Sequence, residues 1–180
     1  SEVYKFHVKD GKWYKLGGKI PIQLSEVHFS KTDGNVYAGG WDSSSEFHSI
    51  SIYKFDPSAN NMWTPVGEKI RLSKYGRLGE IRVIKDKLYT WIRSDAGYKG
   101  AVLRFDESSN NWVELLRGPW RILLGMFKVE DDIYVFAREE RGYGVFKLNG
   151  LNWDRIGPTI IPQDSSLMLD LDWFDLYPPL

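Results

Sequence analysis

The stretch YKFDPSANNMW, residues 53–63, decides the fold. Tyr53-Lys54-Phe55 alternates apolar and polar as a half-buried strand does, the run from Asp56 to Asn61 carries turn residues, and Trp63 opens a second strand. Three further copies stand at residues 4–13 (YKFHVKDGKW), 103–112 (LRFDESSNNW) and 146–153 (FKLNGLNW). Such self-similarity marks one supersecondary unit repeated, each unit burying its apolar face against its neighbours. The repeat tryptophans Trp13, Trp63, Trp112 and Trp153 then read as packing between units, with ligand platforms as the other reading.

Between successive copies lies another hairpin, marked by an apolar-polar-apolar triplet followed by a tyrosine. Its instances are Val27-His28-Phe29 with Tyr37, Ile81-Arg82-Val83 with Tyr89, and Phe127-Lys128-Val129 with Tyr134. Leu169-Asp170-Leu171 with Trp173-Phe174 reads as a fourth, tighter pair. The chain order is thus two strands, three sets of four, then two strands. This predicts an all-β fold: a four-bladed β-propeller, four antiparallel strands per blade, as one domain over residues 1–180. Three units lie near 19–67, 68–117 and 118–163, and the ring is closed by a blade combining N-terminal strands of 1–18 with C-terminal strands of 164–180. Divided among four blades, 180 residues give about 45 each, within the range of propeller repeats. The rival is a fragment of a larger propeller, or a half-ring that dimerises; the complementary half-units at the two ends argue against it.

Composition narrows the function classes. Lys+Arg and Asp+Glu both number 24, so bulk electrostatics give no ground for nucleic acid or an anionic membrane as partner. No apolar run approaches the roughly 18 residues of a membrane span, so no membrane insertion is expected. The absence of cysteine excludes a disulfide framework and thiolate metal sites. A Ser1 start fits removal of a signal peptide, which would favour secretion, and equally removal of an initiator Met; the compartment stays open.

VYAGGWD, residues 36–42, places Gly39-Gly40 after the strand-borne Tyr37, and the segments FDPSANNMW and FDESSNNW each end in the repeat tryptophan. In these residues the chain resembles kelch repeats, over nearly its whole length, with Thr90-Trp91 and Val135-Phe136 where the first unit has its glycine pair. The resemblance implies a β-propeller. Likeness to hemopexin domains is one of four-bladed shape alone, since their paired cysteine and recurring Asp-Ala motifs are missing.

In an antiparallel four-stranded blade, the first-to-second and third-to-fourth turns share one face of the ring, and the remaining connections share the other. The first set is short, as at Lys85-Asp86-Lys87, while the second is long, as at residues 39–49, 68–79, 93–100, 118–125 and 138–144. Long loops on a rigid scaffold commonly carry binding. That face holds Arg71, Tyr75, Arg77, Tyr98, Trp120, Arg121, Arg141 and Tyr143, with Trp41 and Asp42 in its first loop. Guanidinium and aromatic groups are enriched at protein hot spots and also hold or stack on sugars. The expected function is non-catalytic binding of a protein partner. The alternative is a lectin-like module that stacks a glycan on Trp41, Trp120, Tyr98 or Tyr143, with Asp42 accepting hydroxyl protons; Trp41 and Asp42 can equally anchor their loop. The loops GGWDSSSEFHS, RSDAGYKG and REERGYG do not repeat, which suits one asymmetric site better than multivalent sugar binding. A solvated surface of scattered charge is the plain alternative.

His28, Arg82, Lys128 and Asp170 take equivalent places in the four triplets and would ring a central channel, holding a small anion, or would pair locally between blades. No metal is expected there, because Arg82 and Lys128 are not ligands. No cofactor is expected either. Catalysis is not expected: the histidines are His7, His28 and His48, without metal-binding spacing, and no nucleophile-elbow motif accompanies them.

Overall fold

The computed structural model of the chain describes residues 1–42, 49–71, 76–94, 100–115 and 117–162. Among the described residues there is no helix, and fifteen strands form four antiparallel sheets. The first sheet is a hairpin of β1 (Tyr4–His7) and β2 (Lys12–Lys15). The second runs β3 (Ile22–Phe29), β4 (Val36–Asp42), β5 (Ser49–Asp56), β6 (Met62–Pro65), and the short β7 (Ile70–Arg71) also pairs with β5. The third runs β8 (Gly76–Ile84), β9 (Lys87–Ser94), β10 (Ala101–Asp106), β11 (Asn111–Glu114). The fourth runs β12 (Ile122–Val129), β13 (Asp132–Arg138), β14 (Tyr143–Asn149), β15 (Asn152–Ile160). Each larger sheet is an up-and-down meander, an arrangement consistent with propeller blades. The strands expected around residues 169–174 lie outside the described residues.

The repeated stretch is the last hairpin of each sheet. Register sets Phe6 opposite Trp13, Phe55 opposite Trp63, Phe105 opposite Trp112 and Leu148 opposite Trp153. The turn chemistry is local: Asp56 Oδ1 accepts from the Ser58 N–H at 2.8 Å and the Ser58 hydroxyl at 2.6 Å, and Asp106 accepts from Ser108 and Ser109 in the same way. Between β8 and β9 the chain reverses on Lys85 and Asp86, whose φ values are 50° and 59°. Two successive positive φ values match the strand twist but suit Asn-Gly far better than Lys-Asp. Replacing Lys85→Asn together with Asp86→Gly should therefore raise stability by about 1 kcal/mol. Denaturant midpoints check this, and an unchanged or lower midpoint would contradict it.

Three apolar clusters join the sheets in chain order. Val3, Leu16, Ile20, Ile22, Ala38 and Trp63 bind the first hairpin to the second sheet. Ile52, Ile70, Leu78, Ile81, Leu103 and Trp112 bind the second to the third, and Trp91, Leu115, Trp120, Leu123, Val135 and Phe146 bind the third to the fourth. Trp63 and Trp112 are buried as expected, and Trp153 packs on the third cluster. Trp13 departs from the expectation: it is 66% exposed, because no cluster forms on its side of the hairpin among the described residues.

Candidate functional site

In these meanders the β4–β5, β9–β10 and β13–β14 connections, together with the connections between sheets, lie at one end. Residues 43–48, 72–75 and 95–99, and with them Tyr75 and Tyr98, are outside the described residues, as is Asp170. Arg77 is described only as a backbone member of β8.

The rest of this end divides by burial. Arg71, Arg121 and Arg141 are exposed, as the sequence suggests. Arg121 is fixed by its backbone: its N–H donates to the Arg138 carbonyl at 2.8 Å, bringing the segment before β12 against the end of β13. Its guanidinium meets Glu140 at 3.2 Å, both side chains exposed. The neighbouring turn closes through Glu139 N–H to the Gly142 carbonyl at 2.8 Å, which places Arg141 at its tip. Behind it, Arg155 donates to Glu139 at 2.7 Å and to the Thr159 hydroxyl at 2.6 Å. The result is a rim of alternating charge around Arg121, Glu140 and Arg141.

Three expected contact residues are elsewhere. Trp120 is fully buried, with its ring 5.2 Å from Phe146 and 5.4 Å from Trp153, and its Nε1–H donates to the Gly100 carbonyl at 3.3 Å. Tyr143 is buried too, stacked on Phe136 at 5.5 Å. Trp120 turns inward because the apolar gap between the third and fourth sheets must be filled, while Tyr143 is covered on the other side of the fourth sheet against Phe136, so neither offers a face to a sugar. Asp42 is buried at the end of β4 and ion-paired with Lys69, so its carboxylate is committed within the sheet. Trp41, beside it, is half-buried.

The inner strands hold a second cluster. Each carries a register shift at the same depth: between Leu24 and Glu26 in β3, Leu78 and Ile81 in β8, and Leu123 and Gly125 in β12. Bulges re-aim the side chains beside them. Arg82 lies between two partners, its guanidinium 3.2 Å from His28 Nδ1 and 2.9 Å from Glu80. Arginine has no acceptor, so Nδ1 accepts and His28 is neutral, in line with burial and the Arg82 charge lowering its pKa. Burial, then the Glu80 carboxylate, push Glu26 up to about 7, with Arg82 opposing. His28 and Arg82 thus meet between the second and third sheets and pair locally.

Lys128 does not join them. Tyr37 pairs with His28 and Tyr89 with Arg82, but Tyr134 pairs with Phe127. Side chains alternate along a strand, so Lys128 points to the opposite side, where it meets Asp131 at 3.6 Å. Glu26 and Glu80 escaped the sequence reading although a signal existed: Glu-Val-His at residues 26–28 and Glu-Ile-Arg at residues 80–82 place a carboxyl group two residues before His28 and Arg82, hence on the same side of the strand.

Glu26 makes stability depend on pH with a definite sign. Its folded pKa of about 7 lies above the ordinary value of 4.5, so the native state holds the extra proton between these pH values. Stability is then highest below the unfolded pKa and falls as pH rises toward about 7. At this half-exposed position solvent screening leaves a loss on the order of 1 to 2 kcal/mol. Glu26→Gln should flatten that decline in denaturation curves taken from pH 4.5 to 8; a decline of equal depth in the variant would assign it to other groups.

Among the described residues no group of three or more His, Asp or Glu could hold a metal ion. No protein-family model matches the chain, and no curated protein matches it.

Proposed function

We propose that the chain is a small kelch-like β-propeller, four-bladed and closed by its two ends, that serves as a non-catalytic binding module for a protein partner. The rim of Arg121, Glu140 and Arg141 carries the reading: exposed charges of both signs sit on short backbone-fixed turns of a rigid sheet scaffold. Arg71 adds a further exposed cation at the corresponding end of the second sheet. Charges placed in this way steer encounter and select partners more than they add affinity. The lectin-like alternative has lost two of its stacking platforms, Trp120 and Tyr143, and its acceptor Asp42 to the interior. No anion role is assigned to Arg82, whose guanidinium faces Glu80.

The test is affinity capture with the wild-type chain and with Arg71→Glu/Arg121→Glu/Arg141→Glu, quantified by mass spectrometry, beside a glycan array. Loss of the captured partner by about tenfold or more in the variant supports the reading. Unchanged capture, or strong glycan binding indifferent to the three substitutions, rejects it.

A further inference from the structure

Two of the three inter-sheet clusters contain one construction that the repeat supplies. Trp63 Nε1–H donates to the Leu16 carbonyl at 2.8 Å, and Trp112 Nε1–H donates to the Val66 carbonyl at 3.1 Å. Beneath each indole lies a glycine, Gly17 with φ 72° and Gly67 with φ 69°; a Cβ there would come within 2.9 Å and 3.2 Å of the indole nitrogen. Three residues beyond each glycine an isoleucine closes the contact, Ile20 at 1% and Ile70 at 8% exposure. So the tryptophan of one sheet docks on the end of the preceding sheet's last hairpin.

The last sheet ends in the same device. Register aligns Ile156 with Leu16 and Val66, Gly157 follows with φ 73°, and Ile160 stands where Ile20 and Ile70 stand. Yet among the described residues nothing lies within 4 Å of a Cβ built on Gly157, and Ile160 is 52% exposed. At the opposite end of the chain, Trp13 is the one repeat tryptophan with no sheet preceding it. Its partner ring is already placed: Phe6 and Trp13 are 5.0 Å apart at 50°, against 5.4 Å and 56° for Phe55 and Trp63. Among the described residues, a tryptophan without a preceding sheet and a glycine end without a following one are complementary parts.

We propose that Trp13 docks on the Ile156 carbonyl over Gly157, with Ile160 beside it, within one chain. The contact rests on the propeller reading and names the residues that would close it. It buries Phe6, Trp13, Ile156 and Ile160 together, all exposed apolar groups otherwise.

A double-mutant cycle tests the contact, read as urea midpoints with sedimentation mass alongside. Valine at Gly157 is strained at that φ whatever lies nearby, so its own cost says nothing. The informative step is Trp13→Ala in two backgrounds. The proposal requires a lowered midpoint in the wild type, no further lowering in Gly157→Val, and a monomer mass; Trp63→Ala with Gly17→Val provides the reference pair. Equal lowering in both backgrounds overturns it, and coupling with a doubled mass overturns it in favour of a second copy. In the unmodified chain the Trp13 indole N–H, assigned by its loss in Trp13→Phe, should exchange about tenfold or more slower than a free indole, and free-indole exchange would also overturn the proposal. None of these readouts involves partner capture, so failure of the contact and failure of the Arg-rim reading are separate results.

Discussion

Gly40→Ala is expected to destabilise the protein by about 2 to 4 kcal/mol, although it adds a single methyl group. Gly40 lies in β4 opposite Leu24, where β3 is bulged, and the Gln23 carbonyl oxygen overlaps the space a Cβ would take. The obstacle is backbone, with the Gln23 carbonyl carbon at 2.9 Å and Leu24 Cα at 3.0 Å, so rotamer changes cannot relieve it. Gly39 is similarly enclosed from the next sheet, its Cβ position lying 2.5 Å from Leu78 and 2.9 Å from Ile81. The glycine pair is therefore a close-approach device between β3, β4 and β8. The control is Gly125→Ala at the corresponding bulge of β12, where no described residue lies within 4 Å and the change should be neutral or mildly stabilising. Equal losses at both positions, measured as denaturation midpoints, would show that chain entropy rather than close approach governs.

Trp120→Ala should cost about 3 to 5 kcal/mol, because it empties the centre of the cluster between the third and fourth sheets. For a chain of this size that corresponds to a fall in Tm of roughly 10 °C or more. The indole touches Phe146 and Trp153 and ties the segment before β12 to the Gly100 carbonyl, so packing and a buried hydrogen bond go together. Trp120→Phe should keep most of the packing and lose about 1 to 2 kcal/mol, mainly through the unpaired carbonyl. Differential scanning calorimetry separates these values. A fall of less than 2 °C for Trp120→Ala would instead describe an exposed loop residue available to ligand.

Trp120 also marks the boundary of what sequence reveals. Strand order was legible because alternation and Asp-Ser or Asn-Gly turns act over a few residues, as the Asp56 and Asp106 turns show. Whether a loop aromatic folds inward is decided by the neighbouring sheet. Gly118-Pro119-Trp120 follows β11 in a connection unlike Leu16-Gly17 and Val66-Gly67, and its indole fills the gap that the others close with glycine and tryptophan. The inner-strand cluster was half legible. His28 and Arg82 meet, but Phe127 and not Lys128 takes the register of Arg82, because the β12 triplet runs straight into its two-residue turn whereas Ile84 separates the β8 triplet from a turn of the same length. The distance from triplet to turn, invisible in a search for triplets, decided that shift. Asp42 misled for a related reason: an acidic residue beside Trp41 suits a binding loop, and only the approach of Lys69 from the end of the same sheet shows it committed.

The meander topology has a consequence for how the chain comes into being. Among the described residues every sheet is made of consecutive segments, and every cluster joins sheets adjacent in sequence. A ribosome therefore delivers each sheet whole, next to the one just finished, and folding can advance with synthesis. At about 5 to 20 residues per second, β1–β2 emerges roughly 10 to 30 s before β15. Through that interval Tyr4, Phe6, Trp13 and Tyr14 face water on a nascent chain. The first hairpin is thus the segment on which a chaperone would act longest, and slowed translation would lengthen the exposure of its aromatic face.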